Sequence, residues 1–220
     1  MLASIIARFQ TWRRHRLTAK RPWQDWEYLV LDIETSGLDA KQDHIISIGW
    51  VVIREGQIQL DSAQHLLLNG AQVEASVGIH LITDGDLEDH GRREQSVIRY
   101  LRLLLRDKVL VMHHAPLELS FLKAWWRQQQ QASLTLHWLD TLAIERTKSL
   151  RASQPIQEGG FRLAPCRARY GLPEYQGHDA LTDALATAEL LLAQISYQGK
   201  DCRLHDLLQI GGGHTKFVAG

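Results

Sequence analysis

Between residues 27 and 68 the chain carries three apolar, β-branched runs in close succession, and this opening constrains its fold most. Residues 27–33 (EYLVLDI), 44–54 (HIISIGWVVIR) and 58–68 have the length and composition of strands. Glu55, Gly56 and Gln57 supply a tight turn between the second and third, so the spacing predicts three mutually paired strands. The period then changes. Over 94–107, Val97, Leu101, Leu104 and Leu105 form one apolar helical face, with Arg99, Arg102 and Arg106 on the other. Residues 109–112 (VLVM) predict a short strand, and Pro116 suits the first turn of a helix running through Phe121, Trp125 and Trp126. A last strand is expected over 134–139. After an irregular Gly/Pro/Arg stretch, 179–197 predict an Ala/Leu-rich helix that Gly199 closes, and the glycines at 211–213 predict a mobile tail. Strands first and strand–helix alternation afterwards imply an α/β layer with a mixed sheet.

A chain of 220 residues is long enough for one sizeable core and short for two. Residues 26–200 are expected to form one domain, with 1–25 as an N-terminal extension and 201–220 as a C-terminal tail. The extension holds Arg8, Arg13, Arg14, Arg16, Lys20 and Arg21, with no acid through residue 21. Leu2, Ile5, Ile6, Phe9 and Trp12 recur in it at helical spacing. A basic amphipathic segment of this kind suits packing on the domain, an anionic membrane, a transit signal or a nucleic acid. Its apolar stretch is too interrupted for a secretory signal. No run approaches the roughly 20 apolar residues of a membrane span.

Lys plus Arg and Asp plus Glu both number 25, so any affinity for nucleic acid must come from local patches. One candidate patch is 145–170, with Arg146, Lys148, Arg151, Arg162, Arg167 and Arg169. The arginine face over 94–107 is another. The two cysteines, Cys166 and Cys202, have no metal-ligand spacing and predict free thiols in a reducing, cytoplasmic compartment.

Chemistry concentrates in three acidic clusters. Asp32 and Glu34 are two apart at the end of a predicted strand, so both carboxylates project from one face. Anions held together in this way suit a hard divalent cation with oxygen ligands. Glu118 falls in the first turn of the helix after Pro116, where the helix dipole also favours an acid. His178 and Asp183 lie at the start of, and just inside, the Ala/Leu-rich helix. Each alone reads as an ordinary cap or surface residue. Their joint occurrence, in order and at element ends, points to one site.

With these residues in view the chain resembles the DEDDh branch of the 3′–5′ exonucleases, and is similar to the epsilon proofreading group. DIETSGL (32–38) resembles the first motif of that family, Asp-x-Glu-Thr-Thr-Gly-Leu. HDALTDALATAELLL (178–192) resembles the third, His-x-Ala-x-x-Asp, and GIHLIT (78–83) the segment between the first and second. The middle motif departs from the usual His-Asn-Ala-x-Phe-Asp: here it is His113, His114, Ala115, Pro116, Leu117 and Glu118, with an acid one methylene longer.

The resemblance implies a ribonuclease H-like, three-layer α/β/α fold with a central mixed sheet. It implies two Mg²⁺ or Mn²⁺ ions held by Asp32, Glu34, Glu118 and Asp183, with His178 as general base. Thr35, Ser36, Leu38, His80 and Ile82 would cradle the terminal nucleotide. The reaction implied is hydrolysis from a nucleic-acid 3′ end, releasing nucleoside 5′-monophosphates, with single-stranded DNA favoured and a DNA polymerase as a candidate partner. An RNA-trimming enzyme, and an attenuated nucleic-acid or polymerase-binding module on the same fold, remain open alternatives. The oligomeric state is open.

Overall fold

The computed structural model describes residues 20–68, 93–153, 157, 159–199 and 201–220. The basic segment before residue 20 and the 78–83 stretch with His80 and Ile82 lie outside the described residues. The elements in chain order are β1 (Tyr28–Thr35), β2 (Ile45–Arg54), β3 (Gln57–Leu67), α1 (Glu94–Leu104), β4 (Val109–Met112), α2 (Ala115–Gln128), β5 (Leu134–Asp140), α3 (Thr141–Arg151), α4 (Leu163–Ala168), α5 (Ala180–Gln198), α6 (Leu204–Gly211) and β6 (Gly212–Phe217).

The six strands form one sheet in the order β3-β2-β1-β4-β5-β6. The predicted opening is present: β2 runs antiparallel to both β1 and β3. β4 and β5 then add in parallel, because helices return the chain to the same end of the sheet each time. The sheet is therefore mixed, as expected.

Alternation along β1 sorts its side chains between two cores. Leu29 and Leu31 join Ile48 and Trp50 of β2 under Ile98 and Leu101 of α1 and Phe121 and Trp125 of α2. Tyr28 and Val30 face the other way, into a core closed by Ala188, Leu191 and Ile195 of α5 and Leu204 and Leu207 of α6. Burying a side chain of this size stabilises the fold by roughly 1.5–3 kcal/mol, and two such layers make the α/β/α sandwich. The alternation continues past the core, so Asp32 and Glu34 fall on the α5 side.

The expected mobile tail is a correction. Residues 204–217 form α6 and then β6, which pairs antiparallel with β5 from Leu139↔Gly212 to Leu134↔Phe217. The glycines there serve close packing: a Cβ on Gly212 would stand 2.5 Å from the Trp138 carbonyl oxygen, and one on Gly213 3.1 Å from the Trp138 ring. The stretch after 140 is also ordered where described, as α3 and α4.

Candidate active site

Each acid arrives at the sheet's end on a separately secured element. β1 carries Asp32 and Glu34 in its last turn of pleat, opposite Gly49 and Ser47 of β2, with a register shift immediately after Glu34. The turn that follows is built on Asp43. Its carboxylate accepts from the Ser36 hydroxyl (3.2 Å) and the Asp39 N–H (2.8 Å), while the Thr35 hydroxyl donates to the Gly37 carbonyl (2.6 Å). This clamp presents Leu38 to solvent at 80% exposure. Thr35 and Ser36 are thus committed to the turn by their hydroxyls, and Leu38 is its free apolar tip.

Asp183 arrives on the first turn of α5. That helix is capped by Asp179, which accepts from the Thr182 N–H at 2.9 Å and meets the His65 ring of β3 at 3.2 Å. Asp183 in turn accepts from the backbone N–H of His178 (3.0 Å). Carboxylate oxygens of Asp32, Glu34 and Asp183 all lie within 4.8 Å of one another.

Glu118 reaches the cluster from α2. Its side chain is 5% exposed, faces the carboxyl of Asp32 and takes the backbone N–H of His113. The N-terminus of α2 is pinned by Asp140, a buried acid that sequence reasoning missed. Asp140 Oδ2 accepts from the Ala115 N–H at 3.1 Å, and Oδ1 accepts from Leu142 and Ala143 at the start of α3. One carboxylate thereby ties together the ends of β5, α2 and α3. The signal for it was available: an Asp followed by Thr at a strand-to-helix junction is a cap pattern.

The electrostatics are those of anions held together. Burial, followed by the charges of Glu118, Asp183 and Glu34, pushes Asp32 well above the usual carboxylate range. Burial and then Asp183 and Asp179 push Glu34 up to about 7. Glu118 is raised by burial and by Asp140, against the pull of the His113 N–H. Asp183 is raised by burial, against the His178 N–H, the nearby Tyr175 phenol and the His178 ring. Two buried oxygens, Glu118 Oε2 and Asp183 Oδ1, have no hydrogen-bond partner. An all-oxygen, mutually repelling donor set with unpartnered atoms fits hard divalent cations.

Two histidines flank the acids in left-handed backbone conformations, His114 (φ 147°) before α2 and His178 (φ 71°) before α5. For a non-glycine residue such a conformation costs on the order of 1–3 kcal/mol and persists where surroundings over-determine it. His178 is exposed, so its ring stands at the solvent edge of the cluster. His113, by contrast, is fixed through both ring nitrogens, to the Thr141 hydroxyl (2.7 Å) and the Phe161 carbonyl (3.0 Å), and burial lowers it to about 4.

The basic stretch over 145–170 divides. Arg167 is 3% exposed and structural: it pairs with Glu189 at 2.7 Å and donates to the carbonyls of Ala186 and Pro173. Arg169 is bound to the buried Glu145 (3.1 Å), and Lys148 sits over the Tyr170 and Tyr197 rings. These three are occupied by the fold, which narrows the candidate patch over 145–170. Arg146, Arg151 and Arg162 are exposed. Trp125 and Trp126 are buried packing residues.

An α/β/α sandwich with a carboxylate cluster at the end of its central strand defines a class of nuclease, and the comparisons with known proteins agree. The chain matches the exonuclease family represented by ribonuclease T over residues 29–191, and it belongs to that family. A DNA polymerase III of the PolC type from Thermotoga maritima is 32% identical over 177 residues, covering 80% of this chain and 12% of that protein. This chain therefore spans about an eighth of the length of the curated relatives it matches.

Among solved structures, Escherichia coli exonuclease I in a zinc-bound complex with single-stranded DNA superposes with a TM-score of 0.64 at 19% identity. The match covers 84% of this chain and 43% of that one. Exonuclease X in complex with a 5′-overhanging duplex gives 0.61 at 20% identity, over 83% and 98%. These likenesses establish the fold. Among the described residues no helix is long and apolar enough to cross a membrane.

Proposed function

We propose that the protein is a metal-dependent 3′–5′ exonuclease acting on DNA and releasing nucleoside 5′-monophosphates. The observation that carries this reading is the convergence of Asp32, Glu34 and Asp183 within 4.8 Å, with Glu118 facing Asp32 from a third element. Asp32, Glu34, Glu118 and Asp183 would together hold two Mg²⁺ or Mn²⁺ ions. Ions so held supply charge stabilisation at the scissile phosphate and its leaving 3′ oxygen, and acidify water.

The chain's own residues do the rest. His178, exposed beside Asp183, takes the proton of the attacking water; an imidazole suits this because its proton affinity lies near neutrality. The Asp43-clamped turn holds the terminal nucleotide, with Leu38 as the apolar contact against sugar or base. His80 and Ile82 are proposed to complete that cradle. DNA is favoured over RNA because the family match extends to DNA polymerases and related folds have been solved on DNA.

Digestion of 3′- and 5′-labelled DNA and RNA oligonucleotides with Mg²⁺, Mn²⁺ or EDTA tests the reading. A ladder shortening from the 3′ end, on DNA more than RNA and only with metal, is expected. Asp32→Asn and His178→Ala should each lower it by on the order of a thousandfold, the scale of removing a principal electrostatic or proton-transfer group. Products released from the 5′ end, or full activity in EDTA, would overturn it.

A further inference from the structure

A groove of about 600 Å³ is lined by His113, His114, Leu142, Arg146, Phe161 and Arg162 among others, and the backbone N–H of His113 on its wall is bound by Glu118. It is built rather than incidental. The Phe161 carbonyl is hydrogen-bonded to the His113 ring at 3.0 Å, so the segment before α4 is tied to the end of β4, which leads into the helix that carries the middle acid. The Phe161 ring lies under two guanidinium groups, Arg146 at 5.5 Å and Arg169 at 6.0 Å. Arg169 is held by Glu145, but Arg146 and Arg162 are exposed and neither has a carboxylate partner among the described residues. Two exposed guanidiniums, a strained exposed histidine and an aromatic floor are a combination suited to phosphates joined by flat bases.

The position of the groove says which phosphates. β4, which leads through His113 into the helix of Glu118, lies on one side of β1, while the Leu38 turn leads from β1 to β2 on the other. If the turn holds the terminal nucleotide, the strand on the far side of the scissile bond leaves past Glu118. We infer that this groove binds the backbone of the single-stranded polynucleotide just upstream of the terminal nucleotide, with Arg146 and Arg162 on its phosphates. The inference rests on the exonuclease reading for its direction along the strand, but not for binding itself.

The test uses the full chain carrying Arg146→Glu, Arg162→Glu or both. Lys216→Glu, outside the groove on β6, serves as a control of equal charge change. Binding of 5′-fluorescein oligothymidylates, from about two to about eight nucleotides, is followed by anisotropy in EDTA, which prevents hydrolysis. In the native protein affinity should rise with length. The double variant should bind the longest strand at least about tenfold more weakly, lose most of the length dependence, and show a slope of log affinity against log salt smaller by about 1.4, as for two phosphate contacts on a single strand.

Conservative Arg→Lys variants should recover part of both. Unchanged length dependence and salt slope in the double variant, or an equal loss in Lys216→Glu, would overturn the proposal. Because this readout needs no catalysis, an inactive native chain would count against the exonuclease reading alone.

Discussion

Gly49 of β2 is the direct cross-strand partner of Asp32, and a Cβ at that glycine would stand 2.2 Å from the backbone carbon of Ala180 in α5. The missing side chain lets the first turn of α5 rest on the sheet beside the first acid. Asp183, three residues into that turn from Ala180, reaches Asp32 and Glu34 because of it. The neighbouring strand adds His65, which also pairs with Gly49 in the ladder and grips the helix cap through Asp179. Site geometry here is a packing property of β2 as much as a property of the ligands.

Gly49→Ala should therefore damage activity out of proportion to stability. The methyl group meets backbone, which cannot rotate away, so α5 must retreat. Overpacking of this kind costs roughly 1–3 kcal/mol, and a displacement near 1 Å at a reacting centre costs on the order of a hundredfold in rate. Urea unfolding and kcat on a labelled oligonucleotide separate the two effects. A fall in kcat below about threefold would show that the helix position is not critical.

Glu118 supports a second expectation. Its longer side chain already brings the carboxyl to face Asp32 and leaves Oε2 unpartnered and free to ligate. Glu118→Asp should retract the carboxyl and lower kcat by roughly 10- to 100-fold. Glu118→Gln should abolish turnover yet raise the melting temperature in EDTA, because it removes one of the repelling anions. Higher activity in Glu118→Asp would mean that the native acid is a handicap rather than a fit.

The raised carboxyls predict an inverted pH response in metal-free protein. Glu34 rises from 4.5 to about 7 on folding, and Asp32, Glu118 and Asp183 shift in the same direction. Protons thus favour the native state. The stabilisation from Glu34 is complete below its unfolded value and is lost as pH climbs through about 7, and the other three carboxyls act in the same direction. Melting temperature in EDTA should fall between pH 5 and pH 8, while the increment given by Mn²⁺ should widen across the same range. An increment that shrinks as pH rises would contradict a carboxylate metal site.

Much of this site was legible because it obeys local rules. The two-residue spacing of Asp32 and Glu34 put them on one face, the Ala/Leu helix placed Asp183, and the paired opening strands were visible as β-branched runs. What escaped depends on contacts distant in sequence. The GGHTKF strand has no alternation to reveal it; its glycines are there for Trp138, a partner that only the folded sheet supplies. Arg167 and Arg169 look like surface cations in a basic run, and only the buried Glu145 and the α5 residue Glu189 show that both are spent internally. Asp140 shows a local cap pattern, but its tie to α2 was not legible, since the one of its three hydrogen bonds that makes it is to Ala115, 25 residues earlier.

Asp140 is also where stability and activity should fall together. Its carboxylate, 3% exposed, takes three backbone N–H groups from two helix starts, and one of those helices carries Glu118 three residues further on. Asp140→Ala strands all three donors, at a cost of about 2–4 kcal/mol for a lost cap plus a buried unpaired group. It also frees the end of α2, so kcat should drop by about tenfold or more even well below the unfolding transition. Asp140→Asn keeps one acceptor oxygen and should fall between the two in both urea midpoint and kcat. An Ala variant as active as the native chain would show that α2 is held in place by its core contacts alone.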